Sequence, residues 1–387
     1  MASSSSSLSL GNLPEEILLQ ILDQCTLNRN IVNEGAYFPK RIYTLRSKCH
    51  SLEIIIDDQA ETKDEDFDVA RDLVLWLSRT RSLRFYGGFH AEVSEKQRAN
   101  ALGLIYNAGQ RGLSLAEAME YINFPSLETL AMTANGPSEL DDLSRMLDSE
   151  VSRTASFTSL TLKYCKDTPE AIEKFLSWPR TLTDFTINTS GNKLVCHISL
   201  RDAQTWLSMH KNTLQSIYID LLGHNQGLYF DASIFPNLSS LRLSRTQLND
   251  EDDTWNNDLR WEPSHADRLL SPNLTTFGMS FGILGCCLIN NFGEKEVNWL
   301  RCLGQAAKES GSRLKTIEIL FNPLSAYPHK YGNYPEDYGY PWDRISGLKG
   351  ELAKSGISVV YNRPPWTKEE WEGKIARWLA ASNILYS

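Results

Sequence analysis

Phe235–Ser244 reads FPNLSSLRLS, and inside it Leu238, Leu241 and Leu243 spell the phrase L-x-x-L-x-L. Leu241 and Leu243 sit two apart, as on one face of a strand, while Leu238 anchors the turn that leads into it. The same spacing returns at Leu127, Leu130 and Met132, at Phe157, Leu160 and Leu162, and at Leu182, Phe185 and Ile187. It returns again at Leu214, Ile217 and Ile219, at Leu274, Phe277 and Met279, and at Leu314, Ile317 and Ile319. The first anchors are separated by as few as 24 residues, between Leu214 and Leu238, and as many as 40, between Leu274 and Leu314. Helices or loops of varying length must therefore return the chain from the end of one strand to the start of the next. Helical returns are expected at 91–108, 115–121, 140–147, 169–178 and 202–210, with a Pro-at-first-turn start at Thr168-Pro169-Glu170. Strand followed by helix within a repeating unit predicts an α/β chain with parallel strands on one wall and helices on the other.

Three residues beyond the third apolar position stand Asn135, Cys165 and Asn322 in three copies, and Ser190 and Thr246 in two more. The phrase and this polar site together resemble the leucine-rich repeat, whose regular units run roughly 20 to 29 residues. The resemblance covers roughly residues 80–360, and it implies a solenoid with strands on its concave wall and helices on its convex wall. Leu222 and Gly282 replace the small polar residue in two copies, so the array is irregular. Leu83 and Phe85 read as a first, irregular repeat; Ile357 and Val359 read as a last strand. Thr367–Glu370 reads as a capping box opening a terminal helix with Trp371, Ile375, Trp378 and Leu379, the cap an open-ended stack needs.

The chain has 387 residues and a net charge of −9, from 48 acidic against 39 basic side chains, with no basic stripe. That balance argues against nucleic acid, whose phosphates call for clustered Lys and Arg. Seven cysteines are scattered without a disulfide framework or paired zinc spacing, which fits reduced thiols in a cytoplasmic or nuclear protein. The Ser run at 3–7 lacks the basic and apolar regions of a signal peptide, and no stretch approaches the roughly 18 apolar residues of a membrane span. The seven histidines never fall at H-x-x-x-H or H-E-x-x-H spacing, and there is no Walker loop or G-x-S-x-G. Cys196 and His197 are neighbours on an expected strand and point opposite ways. No catalytic site, metal site or cofactor is expected.

Before the array, residues 1–10 read as a disordered tail, and GNLPEEILLQILDQC at 11–25 as an amphipathic helix. Asn12 can cap it, Pro14 suits its first turn, and Ile17, Leu18, Ile21 and Leu22 form its apolar face. Leu13, Pro14, Glu16, Ile17, Leu18, Ile21 and Leu22 resemble the opening helix of an F-box; Leu45, Arg46, Cys49 and Leu52 resemble its close, giving a module at 11–53. The close also reads as the lead into a strand through Leu52, Ile54, Ile55 and Ile56. The organisation is thus a tail, an F-box-like module at 11–53, a repeat array at 54–361 and a capping helix at 362–387.

Taken together, the two resemblances are to F-box proteins of the leucine-rich-repeat type. They imply that Leu13, Pro14, Ile17, Leu18 and Ile21 dock on a Skp-type adaptor, and through it a cullin, while the array binds a protein substrate for ubiquitination. The chemistry would then lie in other chains. The alternative is a leucine-rich-repeat scaffold whose N-terminal helix only caps the array and which has no ubiquitin-ligase role.

On an extended strand the residues between the apolar ones face the other way. Across the copies these are Ala131, Thr161, Thr186, Tyr218, Arg242, Gly278 and Glu318, flanked by Asp184, Lys163, Asp220 and Ser244. Tyr218 and Arg242 fall at one register on successive strands and belong to types enriched at interface hot spots. With Asp220 and Glu318 setting polarity, they are the expected centre of a substrate surface; a merely solvated sheet face would look similar. The acidic stretch 249–258 and the Tyr-rich stretch 327–342 read as loops, the second with exposed rings.

Overall fold

A computed structural model describes residues 26–27, 51–56, 82–87, 114–121, 126–133, 144, 146–147, 152–163, 165, 167–188, 198–220, 222, 230–248, 259–281, 292–321 and 339–385. The chain divides into two compact units, Met1–Ile187 and Asn188–Ser387. The first holds strands β1 (Thr26–Leu27), β2 (Ser51–Ile56), β3 (Ser82–Gly87), β4 (Thr129–Thr133) and β5 (Ser159–Lys163), each parallel to the next in sequence. Strand β6 (Asp184–Asn188) lies beside β5 and ends on the first residue of the second unit. Helices α1 (Leu115–Tyr121) and α2 (Pro169–Ser177) alternate with these strands.

The second unit holds β7 (Ser216–Ile219), β8 (Ser240–Ser244), β9 (Thr276–Ser280), β10 (Thr316–Leu320) and β11 (Ser358–Tyr361), again parallel and in sequence order. Its helices are α3 (Leu200–Leu207), α4 (Pro263–Leu269), α5 (Glu294–Glu309), α6 (Pro341–Ala353) and α7 (Lys368–Leu385). Helices α4, α5 and α6 lie in segments where the sequence reading placed none. The signals were there: Pro263 and Pro341 open two of them, and Glu294 and Glu296 supply the acidic first turn of the third. Because α6 begins at Pro341, Trp342 is buried, not displayed on a loop.

Helix starts follow local chemistry where they were expected. The Thr168 hydroxyl accepts the Ala171 amide at 3.2 Å ahead of Pro169. Thr367 and Glu370 close a reciprocal capping box at 2.8 and 3.2 Å.

All three apolar residues of every L-x-x-L-x-L copy are buried, the consequence of stacking one phrase on the next with a period of two along each strand. Phe157, Phe175 and Trp178 pack together in the first unit, with centroids 5.4 to 6.5 Å apart. In the second, Trp299 of α5 lies 5.7 Å from Phe277 of β9 and 5.2 Å from Trp261. A further aromatic chain runs from Phe281 through Phe321 and Trp342 to Trp371 of α7, tying that helix to the core. One buried ion pair crosses this layer: Arg245, just after β8, meets Glu296 of α5 at 2.8 Å, and Glu296 also accepts the Gly293 amide.

The starts of β5, β6, β8, β9 and β10 share one backbone device. The carbonyl of Gln215 takes the amides of both Ser239 and Ser240; that of Ser239 takes Thr275 and Thr276; that of Thr275 takes Lys315 and Thr316. Hydroxyls of Ser239 and Thr275 join the same carbonyls at 3.0 Å. Just before, Asn237 donates to the Asn212 carbonyl at 2.6 Å and Asn273 to that of Pro236 at 2.7 Å. The first unit repeats the double acceptance with Glu128 and Thr158.

Candidate functional site

In the second unit the register aligns Tyr218 with Arg242, Arg242 with Gly278, Gly278 with Glu318, and Glu318 with Val360. The side chains of Tyr218, Arg242 and Glu318 point away from the buried leucines, since the residues on either side of them are buried and they are half-exposed; Gly278 lies beneath its neighbour and Val360 is exposed. Toward the strand starts runs a second aligned row, Ser216, Ser240, Thr276, Thr316 and Ser358, which carries hydroxyls and no charge.

Arg242 does not project. Its guanidinium carbon lies 4.8 Å from the centroid of the Tyr218 ring, and its Nη2 donates to Glu318 Oε2, two strands away. To get there it crosses β9 over Gly278: a Cβ at that position would stand 2.7 Å from Arg242 Cγ and 3.0 Å from Nε. The stem fills the space that any other residue would occupy, and Nε is buried without a hydrogen-bond partner. Both members of the pair keep 29% of their side-chain surface exposed.

Tyr218 also lies flat. Its hydroxyl reaches Ser280 Oγ on β9 at 3.2 Å, and Ser280 Oγ donates to Asp220 Oδ1 at 3.2 Å. Asn188 Nδ2 donates to the other carboxylate oxygen at 2.9 Å. Ser280 has one hydroxyl hydrogen and the carboxylate takes it, so the hydrogen between Tyr218 and Ser280 comes from the phenol. Burial, then the nearby Asp220 carboxylate, push the Tyr218 phenol up to about 12.

Of the sequence-predicted surface residues, Tyr218, Arg242 and Glu318 are thus brought together on one face. Asp220 is 1% exposed and supports that face from within, and Ser244 is fully buried. The physical reason is that polar groups at the strand ends find partners inward: Asn188 and Ser280 offer the Asp220 carboxylate two donors, and the Ser244 hydroxyl meets that of Thr246 at 3.0 Å. Ser280 and Asn188 were not singled out in the sequence. Gly278 carried the one legible signal, a glycine inside a strand phrase, which marks close approach by another group. Leu13, Pro14, Ile17, Leu18 and Ile21 lie outside the described residues, as do 249–258, Cys196 and His197.

Among the described residues no helix is long and apolar enough to cross a membrane, and no group of three or more His, Cys, Asp or Glu is placed to hold a metal ion. Cys165 is buried and in no disulfide. No protein-family model matches the chain, and no curated protein matches it.

Proposed function

We propose that the chain is a substrate-recognition subunit of a cullin-RING ubiquitin ligase of the SCF type, built as an irregular leucine-rich-repeat solenoid behind an F-box-like module. The observation that carries this reading is the repeated phrase itself. In every copy its apolar residues are buried and its intervening residues face away, so successive strands lay a wall of side chains open to a partner. On the second unit that wall gathers a tyrosine, an arginine and a glutamate in one row, with residue types that anchor protein interfaces. The F-box resemblance of residues 11–53 supplies the second half: Leu13, Pro14, Ile17, Leu18 and Ile21 dock a Skp-type adaptor, and the adaptor brings the cullin.

The test is co-purification of the tagged chain with a Skp-type adaptor. The wild-type chain recovers the adaptor stoichiometrically. Ile17→Glu, which sets an unpaired charge in an apolar interface at a cost of roughly 2 kcal/mol or more, loses it while keeping the wild-type melting temperature. Equal recovery by that variant overturns the adaptor role and leaves a repeat scaffold.

A further inference from the structure

The polar face of the second unit contains an arginine, and an arginine on a recognition surface ordinarily reads acidic partners. The surroundings of Arg242 point the other way. We infer that Gly278 sets the charge selectivity of this face: by letting Arg242 lie down across β9 onto Glu318, it turns a projecting cation into part of a neutral plane that takes uncharged, hydrogen-bonding protein segments and refuses acidic ones. This rests on the face being the binding surface proposed above.

Four observations carry it. First, no side chain larger than hydrogen fits at 278 with Arg242 where it is; a methyl group would meet Cγ at 2.7 Å and Cβ at 3.1 Å, close to the backbone, where the arginine cannot yield by bending its tip. Second, the guanidinium at the end of this path is neutralised by Glu318 and stacked on Tyr218. Third, the aligned row beside it, Ser216, Ser240, Thr276 and Thr316, adds only hydroxyls. Fourth, the Tyr218 hydrogen is committed inward to Ser280, so the phenol adds no free donor to the face. The exposed face therefore offers mixed donors and acceptors, with Arg242 and Glu318 cancelling each other and the Asp220 carboxylate enclosed beneath them. A ligand carboxylate would have to displace Glu318, an intramolecular competitor whose effective concentration is on the order of millimolar or more. A backbone amide, a hydroxyl or a side-chain amide needs no such exchange.

The selectivity is testable without knowing the partner, using fluorescently labelled poly-glutamate as the probe on the full chain. Wild type does not bind it above background. Glu318→Gln removes the competitor and leaves Arg242 charged, so poly-glutamate binds at least tenfold tighter than to wild type. Gly278→Ala, checked for wild-type circular dichroism, dislodges Arg242 and gives the same gain. In both backgrounds Arg242→Ala abolishes it. The inference is overturned if Glu318→Gln leaves poly-glutamate binding at the wild-type level, or if wild type binds poly-glutamate in an Arg242-dependent way. A folded Gly278→Ala that binds poly-glutamate no better than wild type overturns the inference as well; should that variant misfold, Glu318→Gln still decides whether the Arg242–Glu318 pair excludes acidic ligands. Neither result depends on adaptor recovery, so failure here and failure of the ligase reading are separate outcomes.

Discussion

A single buried glutamate shows how much one residue can hold in this chain. Glu296 accepts from Arg245 with one oxygen and from the Gly293 amide with the other, so it joins the turn after β8 to the first turn of α5. Both side chains are almost wholly enclosed, at 1% and 5% exposure. Removing Glu296 takes the carboxylate from an enclosed guanidinium, so Glu296→Ala is expected to destabilise the chain by about 3 to 5 kcal/mol, read as a lower urea midpoint. Tyr218 makes a different residue-scale prediction. Its phenol, pushed up to about 12, keeps its proton in the folded chain above the unfolded value of about 10. Its contribution is therefore complete below about pH 10 and is lost as pH rises toward 12. Tyr218→Phe should flatten that alkaline loss when urea midpoints are compared at pH 9 and pH 11.

At the scale of elements, the strands were far more legible than the helices between them. A strand phrase of three apolar positions repeats its own spacing, so each copy vouches for the others, and β4 to β10 lie where Leu127 to Ile319 placed them. A helix such as α5 has no counterpart of matching length to compare, and its signals, Glu294 and Glu296 after Gly293, are local and weak on their own. The site was legible in register and not in posture. Spacing set Tyr218 beside Arg242, but the flat posture of both side chains across neighbouring strands depends on Gly278 and Ser280 of β9, which no strand phrase specifies. Two element-scale outcomes follow from the packing. Leu241→Ala, at a fully buried position of β8, should destabilise by roughly 2 to 5 kcal/mol. Gly304 on α5 lies so close to α6 that a Cβ would stand 2.5 Å from Leu352 Cδ2. Gly304→Val should push α6 away and lower the melting temperature, and shortening Leu352 to Ala in the same chain should restore part of it, a coupling that independent sites would not show.

At the scale of the whole molecule, the proposed ligase reading assigns two tasks to different parts of one chain, adaptor docking to residues 11–53 and substrate capture to the polar face of the second unit. The double variant Tyr218→Ala with Arg242→Ala should keep adaptor recovery at the wild-type level while substrate capture is lost. The exposed Arg242–Glu318 pair adds little to stability, whereas truncating the largely enclosed Tyr218 ring should lower the melting temperature, so capture is compared at a temperature where circular dichroism shows the double variant fully folded. Simultaneous loss of adaptor and substrate would show that the two tasks are not separate.

The shared carbonyls at the strand starts bear on how such a chain tolerates change in length. Gln215, Ser239 and Thr275 each receive the first amides of the following strand, so β8, β9 and β10 are each set against the preceding strand at the first residue, whatever happened in between. The 24 residues from Leu214 to Leu238 and the 40 from Leu274 to Leu314 arrive at the same starting geometry. Registration is thus renewed at each step, and an added stretch of chain leaves no accumulated error for later strands to inherit. The intervening segments are free to diverge in length and content, as a ruler stays true however widely its marks are spaced in time of cutting.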